Sequence, residues 1–350
     1  MTLLILIFLS GAAAAQDQHF TQFYASPLTL NPALAGTFDG GYRIAGLYRD
    51  QGRSLLDEPY RTVAAAIDLR FKVSSHKKVK KDAFGAGVLF YNDRASSVNF
   101  YTNQIAVAGA YHKALSNEGN QFLSLGAQAG IAQRNVNYDN ITFNDQFNGS
   151  DGYTDPTGEI FPENNFSFGD FAIGLNYTYA PERRPGIFAG IAMHHILEPQ
   201  VSFYANEAVE SRRNDNRLLQ KISAHVSFQI PLGESVELSP RALAYKQGPH
   251  LALNAGSNIR FLLDSSKGYA LHLGGWARPV GNTGEGGNQS VAMDAAVVLA
   301  GIEYNNFLIG FSYDLQLKSL NSTGRRGSAF EISLAFIGNY DNEVILCPKF

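Results

Sequence analysis

The stretch "TVAAAIDLRFKV", residues 62–73, carries the pattern that decides the fold. Val63, Ala65, Ile67, Leu69 and Phe71 fall on one face, and Thr62, Asp68, Arg70 and Lys72 on the other. A period of two is that of a strand with two different surroundings. It returns in "KISAHVSFQI", where Ile222, Ala224, Val226, Phe228 and Ile230 oppose Lys221, Ser223, His225, Ser227 and Gln229. "DFAIGLNYTY" repeats it with Phe171, Ile173, Leu175, Tyr177 and Tyr179. So do Phe307, Ile309, Phe311, Tyr313 and Leu315, and then Phe330, Ile332, Leu334 and Phe336. Each run is about ten residues, the length a tilted strand needs to cross a bilayer.

Extending the count along the chain gives about fourteen strands. They begin near Gly41, Tyr60, Ala83, Val98, Gln121, Asn165, Pro185, Leu218, Val236, His250, Gly268, Gln289, Asn306 and Ser328. Pro240 interrupts the ninth, and the run from Gln289 to Glu303 is almost continuously apolar. The links between strands are uneven in a regular way. With the mature N-terminus in the periplasm, the outward links include Asn135–Asn164, Leu197–Arg217, Val280–Asn288 and Leu317–Gly327. The inward ones include Pro181–Arg184, Leu232–Ser235 and a short link near Asn305. Long loops outside, short turns inside and an even strand count are the habit of outer-membrane barrels. A secreted β-sandwich or propeller would show the same alternation. One continuous barrel uses the whole chain after residue 15 without a linker or a break in composition.

The chain opens with "MTLLILIFLSGAAAAQ", an apolar core from Leu3 to Leu9 followed by small residues Ala12 to Ala15. This reads as a signal peptide over residues 1–15, the alternative being an N-terminal anchor. Net charge is −3 in 350 residues, which leaves no footprint for nucleic acid. The single cysteine, Cys347, rules out an intrachain disulfide framework and any multi-cysteine metal site. No apolar run after residue 15 is long enough for a transmembrane helix.

Little in the chain points to catalysis or a cofactor. His194 and His195 are adjacent in a strand, so the alternation puts them on opposite faces, one in the lumen and one at the interface. Gly281–Gly287 lacks the following helix and the Lys-Ser/Thr of a phosphate cradle, and reads as an outer loop. The basic run Lys77-Lys78-Val79-Lys80-Lys81 lies on an inward turn, solvated or facing anionic lipid or an acidic partner. The loop "NITFNDQFNGSDGYTDPTGEIFPENN", residues 140–165, is acidic, aromatic and long enough to be a binding surface. Its candidate contact residues are Asn140, Phe143, Asp145, Phe147, Tyr153, Asp155 and Phe161.

Directly after the signal comes "FTQFYASPLTLNPALAGT", residues 20–37. Pro27 and Pro32 keep it out of an interior strand, yet it is too apolar for a solvated tail. A barrel of about fourteen strands has a lumen wider than its own side chains fill, and such a segment can occupy it. In that reading Phe20, Phe23, Tyr24 and Leu34 are packing anchors and Asn31 satisfies local backbone groups. The inward-facing Asp68, Arg70, Lys72, Asn254 and Arg260 either hydrogen-bond the segment or simply line a wet lumen.

"QDQHFTQFYASPLTLNPALAGT" closely resembles the start of the PorP/SprF family, membrane proteins of the type IX secretion system of Bacteroidota. "YRIAGLYRDQ", "GAGVLFYND", "FGDFAIGLNYTYAP" and the terminal "CPKF" extend the resemblance from Gln16 to Phe350. It implies an all-β, FadL-like antiparallel transmembrane barrel over 41–350 in the outer membrane of a Gram-negative bacterium. It also implies a plug over 16–40 that carries Phe20, Phe23, Tyr24, Pro27, Asn31, Pro32, Ala33, Leu34 and Gly36. The partners implied are a secreted adhesin or other cargo, the periplasmic and outer-membrane components of the machinery, and membrane lipid. The implied role is non-enzymatic export or surface anchoring. A channel for hydrophobic small molecules is the alternative, resting on fold analogy.

Overall fold

A computed structural model describes residues 19–73, 81–95, 99–138, 141–203, 216–265, 268–283, 289–319 and 326–339. The signal-like residues 1–15, Lys77 to Lys80, Asn140, residues 284–288 and Cys347 lie outside the described residues. Among the described residues there are fourteen strands. The first seven are β1 (Tyr42–Gln51), β2 (Tyr60–Lys72), β3 (Ala83–Ala95), β4 (Phe100–Ala114), β5 (Gln121–Val136), β6 (Asn165–Tyr179) and β7 (Gly186–His194). They continue as β8 (Lys221–Pro231), β9 (Val236–Gln247), β10 (His250–Asp264), β11 (Tyr269–Thr283), β12 (Gln289–Tyr304), β13 (Phe307–Ser319) and β14 (Arg326–Gly338). Each pairs antiparallel with its sequence neighbour, and β1 closes on β14, so no edge is left.

The strands start within three residues of the positions read from the alternation. Those at Tyr60, Ala83, Gln121, Asn165, Val236, His250 and Gln289 coincide with it. Pro240 does not break β9. The strand runs through it, and the β8–β9 ladder skips between Ser227/Arg241 and Ile230/Leu238 where the missing donor falls. In β11, Pro279 is absorbed by a register shift beside Arg278.

The barrel is apolar outside and polar inside. Ile131 is 66% and Leu125 64% exposed, and Ile67, Val88, Ile105, Val107, Ile173, Ile191, Val298, Ile302 and Ile309 are likewise exposed. Inward positions carry small or polar residues: Ala64, Ala66, Ala106, Ala108, Ser223, His225, Asn254 and Ser312 are all buried. An apolar band this continuous would be a liability in water and matches the hydrocarbon of a bilayer. Aromatic pairs gird its lower margin: Phe84–Tyr111 at 4.9 Å, Tyr269–Tyr304 at 4.6 Å and Phe307–Phe336 at 4.5 Å. The long links 137–164 and 195–220 share one end, here the outer end, with 52–59. The two-residue link 305–306 at the inner end turns on Asn305 at φ 52°, a left-handed conformation that Asn tolerates.

At the inner rim Asp82, just before β3, ties that strand to the end of β4. Its carboxylate accepts from Tyr111 Oη at 2.7 Å, Lys113 Nζ at 2.9 Å and the Ala114 N–H at 2.9 Å. Burial alone would raise its pKa, but these donors outweigh burial and hold it at about 2. The contribution is therefore complete above the unfolded value of 3.8 and lost as the pH falls through about 2. Asp82→Asn should lower stability at neutral pH by about 1–3 kcal/mol. The gap should narrow as the pH falls from 3.8 to about 2. Heat-unfolding of the detergent-solubilised protein at both extremes checks this; an undiminished gap at the acid end would refute it.

Candidate functional site: the lumen and its N-terminal segment

Residues 19–41 enter the barrel before β1 begins. Two prolines break the segment into short pieces: a 3-10 turn Phe23–Ala25, one α turn Pro27–Leu30 and a second 3-10 turn Pro32–Leu34. Each places Pro or a small residue where no strand ladder is needed. The segment touches backbone or side-chain atoms of β1, β2, β4, β6, β7, β8, β10, β11, β13 and β14. Only a chain inside a closed barrel can reach all of these walls. Thr21 to Phe23, Ser26 to Leu28 and Leu30 to Phe38 are buried.

The start of the segment is held by charge. Arg49 of β1 and Arg278 of β11 both reach Asp314 of β13, at 3.2 and 3.0 Å, and Arg49 also pairs with Glu331 of β14. Arg278 takes a further carboxylate, Asp294, at 2.9 Å. Into this cage the segment donates three hydrogen bonds. The Thr21 N–H and the Gln22 N–H go to the two Glu331 oxygens at 2.7 and 2.8 Å, and Thr21 Oγ1 goes to Asp314 at 2.8 Å. Asn254 Nδ2 donates to the Thr21 carbonyl at 3.1 Å. Buried charges are tolerable when each is paired and hydrogen-bonded, and the segment supplies several of the bonds that satisfy these.

The middle is held by shape. Phe23 meets Trp276 edge-on at 5.6 Å, Tyr24 lies against the same indole at 5.9 Å, and the Arg241 guanidinium sits 4.1 Å from the Tyr24 ring centre. Phe20 packs on Tyr91 at 6.4 Å. Leu34 joins Phe23, Leu30, Leu243, Tyr245 and Trp276 in one cluster, and Leu28 joins Leu89 and the alanines of β4 in another. Asn31 does more than a turn residue. Its Oδ1 accepts from the Ala33 N–H at 2.8 Å, capping the second 3-10 turn. Its Nδ2 reaches the carbonyls of Leu175 and Ile191, at 3.1 and 3.3 Å, across the β6–β7 ladder. Close approach requires glycine in the wall: a Cβ on Gly174 would lie 1.9 Å from Asn31 Oδ1, and one on Gly126 2.3 Å from the Ala33 nitrogen.

The exit is held by a second ion pair. Asp68 of β2 binds Arg43 of β1 through two bonds, at 3.0 and 2.7 Å, and accepts from the Gly36 N–H at 2.7 Å. Arg43 also donates to the Leu34 carbonyl at 3.2 Å, and Arg70 to that of Gly36 at 2.9 Å. His112 bridges the Ala35 carbonyl, at 2.8 Å, and Ser124. Gly36 has φ 71°, where other residues are strained. Of the other expected lumen residues, Arg260 pairs with Glu303 at 2.7 Å, and Lys72 is exposed at the end of β2.

The segment lies between two cavities. The outer one, about 1050 Å³ with its mouth, has His19, Phe20 and Leu30 in its floor and Gln128, Phe168 and Tyr245 in its walls. The inner one, about 1500 Å³, is bounded by Tyr24 and Pro27 and lined by Arg43, Arg241, Arg260 and Glu303. His194 and His195 both line the outer cavity and are both buried, which corrects the expectation of opposite faces. β7 ends at His194, and His195 takes a left-handed φ of 56° that rotates it inward. His194 contacts the Leu30 carbonyl at 3.2 Å, and His195 contacts Asp170 at 2.9 Å. Among the described residues no three His, Cys, Asp or Glu side chains could hold a metal ion.

Above the rim, the link 137–164 is built on aromatic contacts. Tyr138 stacks on Phe161 at 4.8 Å, Phe143 packs on Phe161 at 5.4 Å, and Phe147 meets Tyr153 at 5.4 Å across an isolated bridge. Asp145 pins the loop by accepting from the Gly158 N–H at 2.7 Å and Thr157 Oγ1 at 2.9 Å, and these bonds lower its pKa. The Asp155 N–H donates to the Gln146 carbonyl at 3.0 Å. Phe147, Tyr153, Ile160 and Phe161 remain exposed.

Comparison with known proteins supports the architecture and gives a family. The family model "Type IX secretion system membrane protein PorP/SprF" matches residues 12–336. Among solved structures, a TodX deltaS2S3 mutant monoaromatic hydrocarbon channel has a TM-score of 0.51 at 12% identity, covering 89% of this chain and 94% of that one. A Pseudomonas aeruginosa FadL homologue has a TM-score of 0.47 at 12% identity, covering 87% and 92%. No match emerges among curated protein sequences.

Gly126→Val should push Pro32 and Ala33 away from β5. Overpacking of this kind costs about 1–3 kcal/mol, and each 1.4 kcal/mol is about tenfold in the population of a displaced segment. In a Cys347→Ser background, Ala33→Cys should therefore react with a maleimide about tenfold faster when Gly126→Val is added. An unchanged rate would mean that the wall does not set the position of the segment.

Proposed function

Because the chain belongs to the PorP/SprF family of type IX secretion system membrane proteins, we propose that it supports export or surface anchoring of a secreted adhesin-like protein. It does so as a closed platform in the outer membrane, and the proposed contact surface is the outer link 137–164. The observation that carries this reading, beyond the family, is the pairing of a filled lumen with an ordered, aromatic and acidic outer loop. Residues 20–37, anchored at both ends by buried ion pairs, serve as the plug. Phe147, Tyr153, Asp155, Ile160 and Phe161 present exposed apolar and acidic groups on a loop whose fold is fixed from within. Such preorganisation lowers the ordering cost of binding a partner. On this reading residues 1–15 are the cleaved export signal, and the partners are the cargo and other components of the machinery.

Replacing residues 141–163 by a short Gly-Ser linker should leave a heat-modifiable barrel in the outer membrane. It should also shift the cargo adhesin from the cell surface to the medium, read by quantitative proteomics of both fractions. Unchanged adhesin retention with a folded barrel would overturn loop recognition.

A second reading draws on the outer cavity, whose apolar lining suits a hydrophobic small molecule. If the protein is a channel for such solutes, deletion of its gene should reduce uptake of a labelled fatty acid or toluene. Equal uptake would dispose of the idea for those solutes.

A further inference from the structure

The outward face of β1 to β5 changes character in three rows towards the outer end. Ala65, Phe90, Ile105 and Ile131 lie side by side in the apolar band. The next row holds Tyr48, Val63, Asn92, Asn103 and Gln133, with Asn92 Nδ2 donating to Asn103 at 2.6 Å. The third row holds Asp50, Arg61, Arg94, Tyr101 and Asn135. Apolar, polar and then charged is the sequence of layers from acyl chain to headgroup.

The third row is incomplete as it stands. Arg61 and Arg94 are direct cross-strand partners, and like charges in that position repel. Among the described residues neither guanidinium makes a hydrogen bond, and the Nε of each is buried without a partner. Asn135 Oδ1 in the same row is also buried and unpartnered. The nearby carboxylates answer the charge only through long ion pairs. Asp50 is taken up by Arg53 and the Tyr48 hydroxyl and stands 3.8 Å from Arg61. Glu58 is 61% exposed and only 4.0 Å from Arg94. Arg94 is held in place by Tyr101, whose ring centre lies 5.1 Å from its guanidinium.

We propose that Arg61, Arg94 and Asn135, with Arg53 beside them, bind the phosphorylated sugar headgroup of an outer-leaflet glycolipid. Guanidinium forks match phosphate oxygens in charge and geometry, and paired arginines that repel each other are reconciled by one anion between them. Asn135 Oδ1 accepts from a sugar hydroxyl. The acyl chains run down over Val63, Phe90 and Ile105. The assignment needs the outer-membrane setting and nothing from the proposed cargo role, so the two stand or fall separately.

The test is native mass spectrometry of the full chain released from detergent, titrated with four probes: lipid A with its phosphates, dephosphorylated lipid A, phosphatidylglycerol and inorganic phosphate. The wild type should bind phosphorylated lipid A about tenfold or more tightly than each of the others, the difference a pair of charge-assisted bonds supplies. Arg61→Gln/Arg94→Gln should lose that preference, with heat-modifiability confirming a folded barrel. Arg94→Gln alone replaces the double variant should the latter fail to fold. Equal binding of dephosphorylated lipid A, or undiminished binding by the variant, would overturn the proposal and leave surface arginines only. Equal binding of phosphatidylglycerol or inorganic phosphate would overturn the glycolipid assignment, in favour of a general anionic lipid or a free-phosphate site.

Discussion

Asp314 and Glu331 stand on adjacent strands inside the barrel, both fully buried, and everything at the start of the N-terminal segment follows from that arrangement. Two carboxylates so placed need cations and donors, because an unpaired buried charge is among the costliest defects a fold can hold. Arg49 and Arg278 supply the cations. Thr21 and Gln22 add donors to both Glu331 oxygens and to Asp314 Oδ2, leaving Asp314 Oδ1 without a partner among the described residues. The ionic wall and the segment are thus one unit. Without the segment the cage lacks donors, and without the cage the segment has no fixed start.

The other contacts divide the work by chemistry. Charge fixes the two ends, where Glu331 and Asp68 each accept backbone N–H groups of the segment. Aromatic packing and wall glycines fix the middle, where direction matters less than fit. A lumen ringed by fourteen strands, with alanine, serine and asparagine among its inward residues, leaves more room than its own side chains fill. The segment converts that room into a packed core, lying between an outer and an inner cavity.

Period-two alternation made the strands and their order legible, since each strand meets lipid on one side and a polar lumen on the other. Pro27, Pro32 and the aromatics around them marked the segment as neither strand nor tail. The cage was not legible, for a reason of distance: Thr21 and Asp314 are 293 residues apart, and only barrel closure brings β1 beside β14. A charge at an inward strand position was the available signal. Arg49, Arg278, Asp314 and Glu331 all occupy such positions, but alternation says nothing about which of them meet. Arg260 shows the limit from the other side. It faces inward as expected, yet Glu303 on β12 takes it before the segment can. His195 escaped because one left-handed residue at a strand end cancels the alternation there.

The double anchoring also bears on whether the lumen opens. A hydrogen bond to a charged group contributes about 1.5–3 kcal/mol, and the segment is tied by such bonds to two buried carboxylates, at Glu331 and at Asp68. Moving a two-state equilibrium from about 1:99 to 99:1 takes about 5.5 kcal/mol of differential binding. A small solute brushing the outer cavity makes few contacts that distinguish a seated segment from a displaced one. A protein partner that replaced the donors of Thr21 and Gln22 at the cage would distinguish them directly. On these energies, opening would call for new donors to Asp314 and Glu331 in place of those of Thr21 and Gln22.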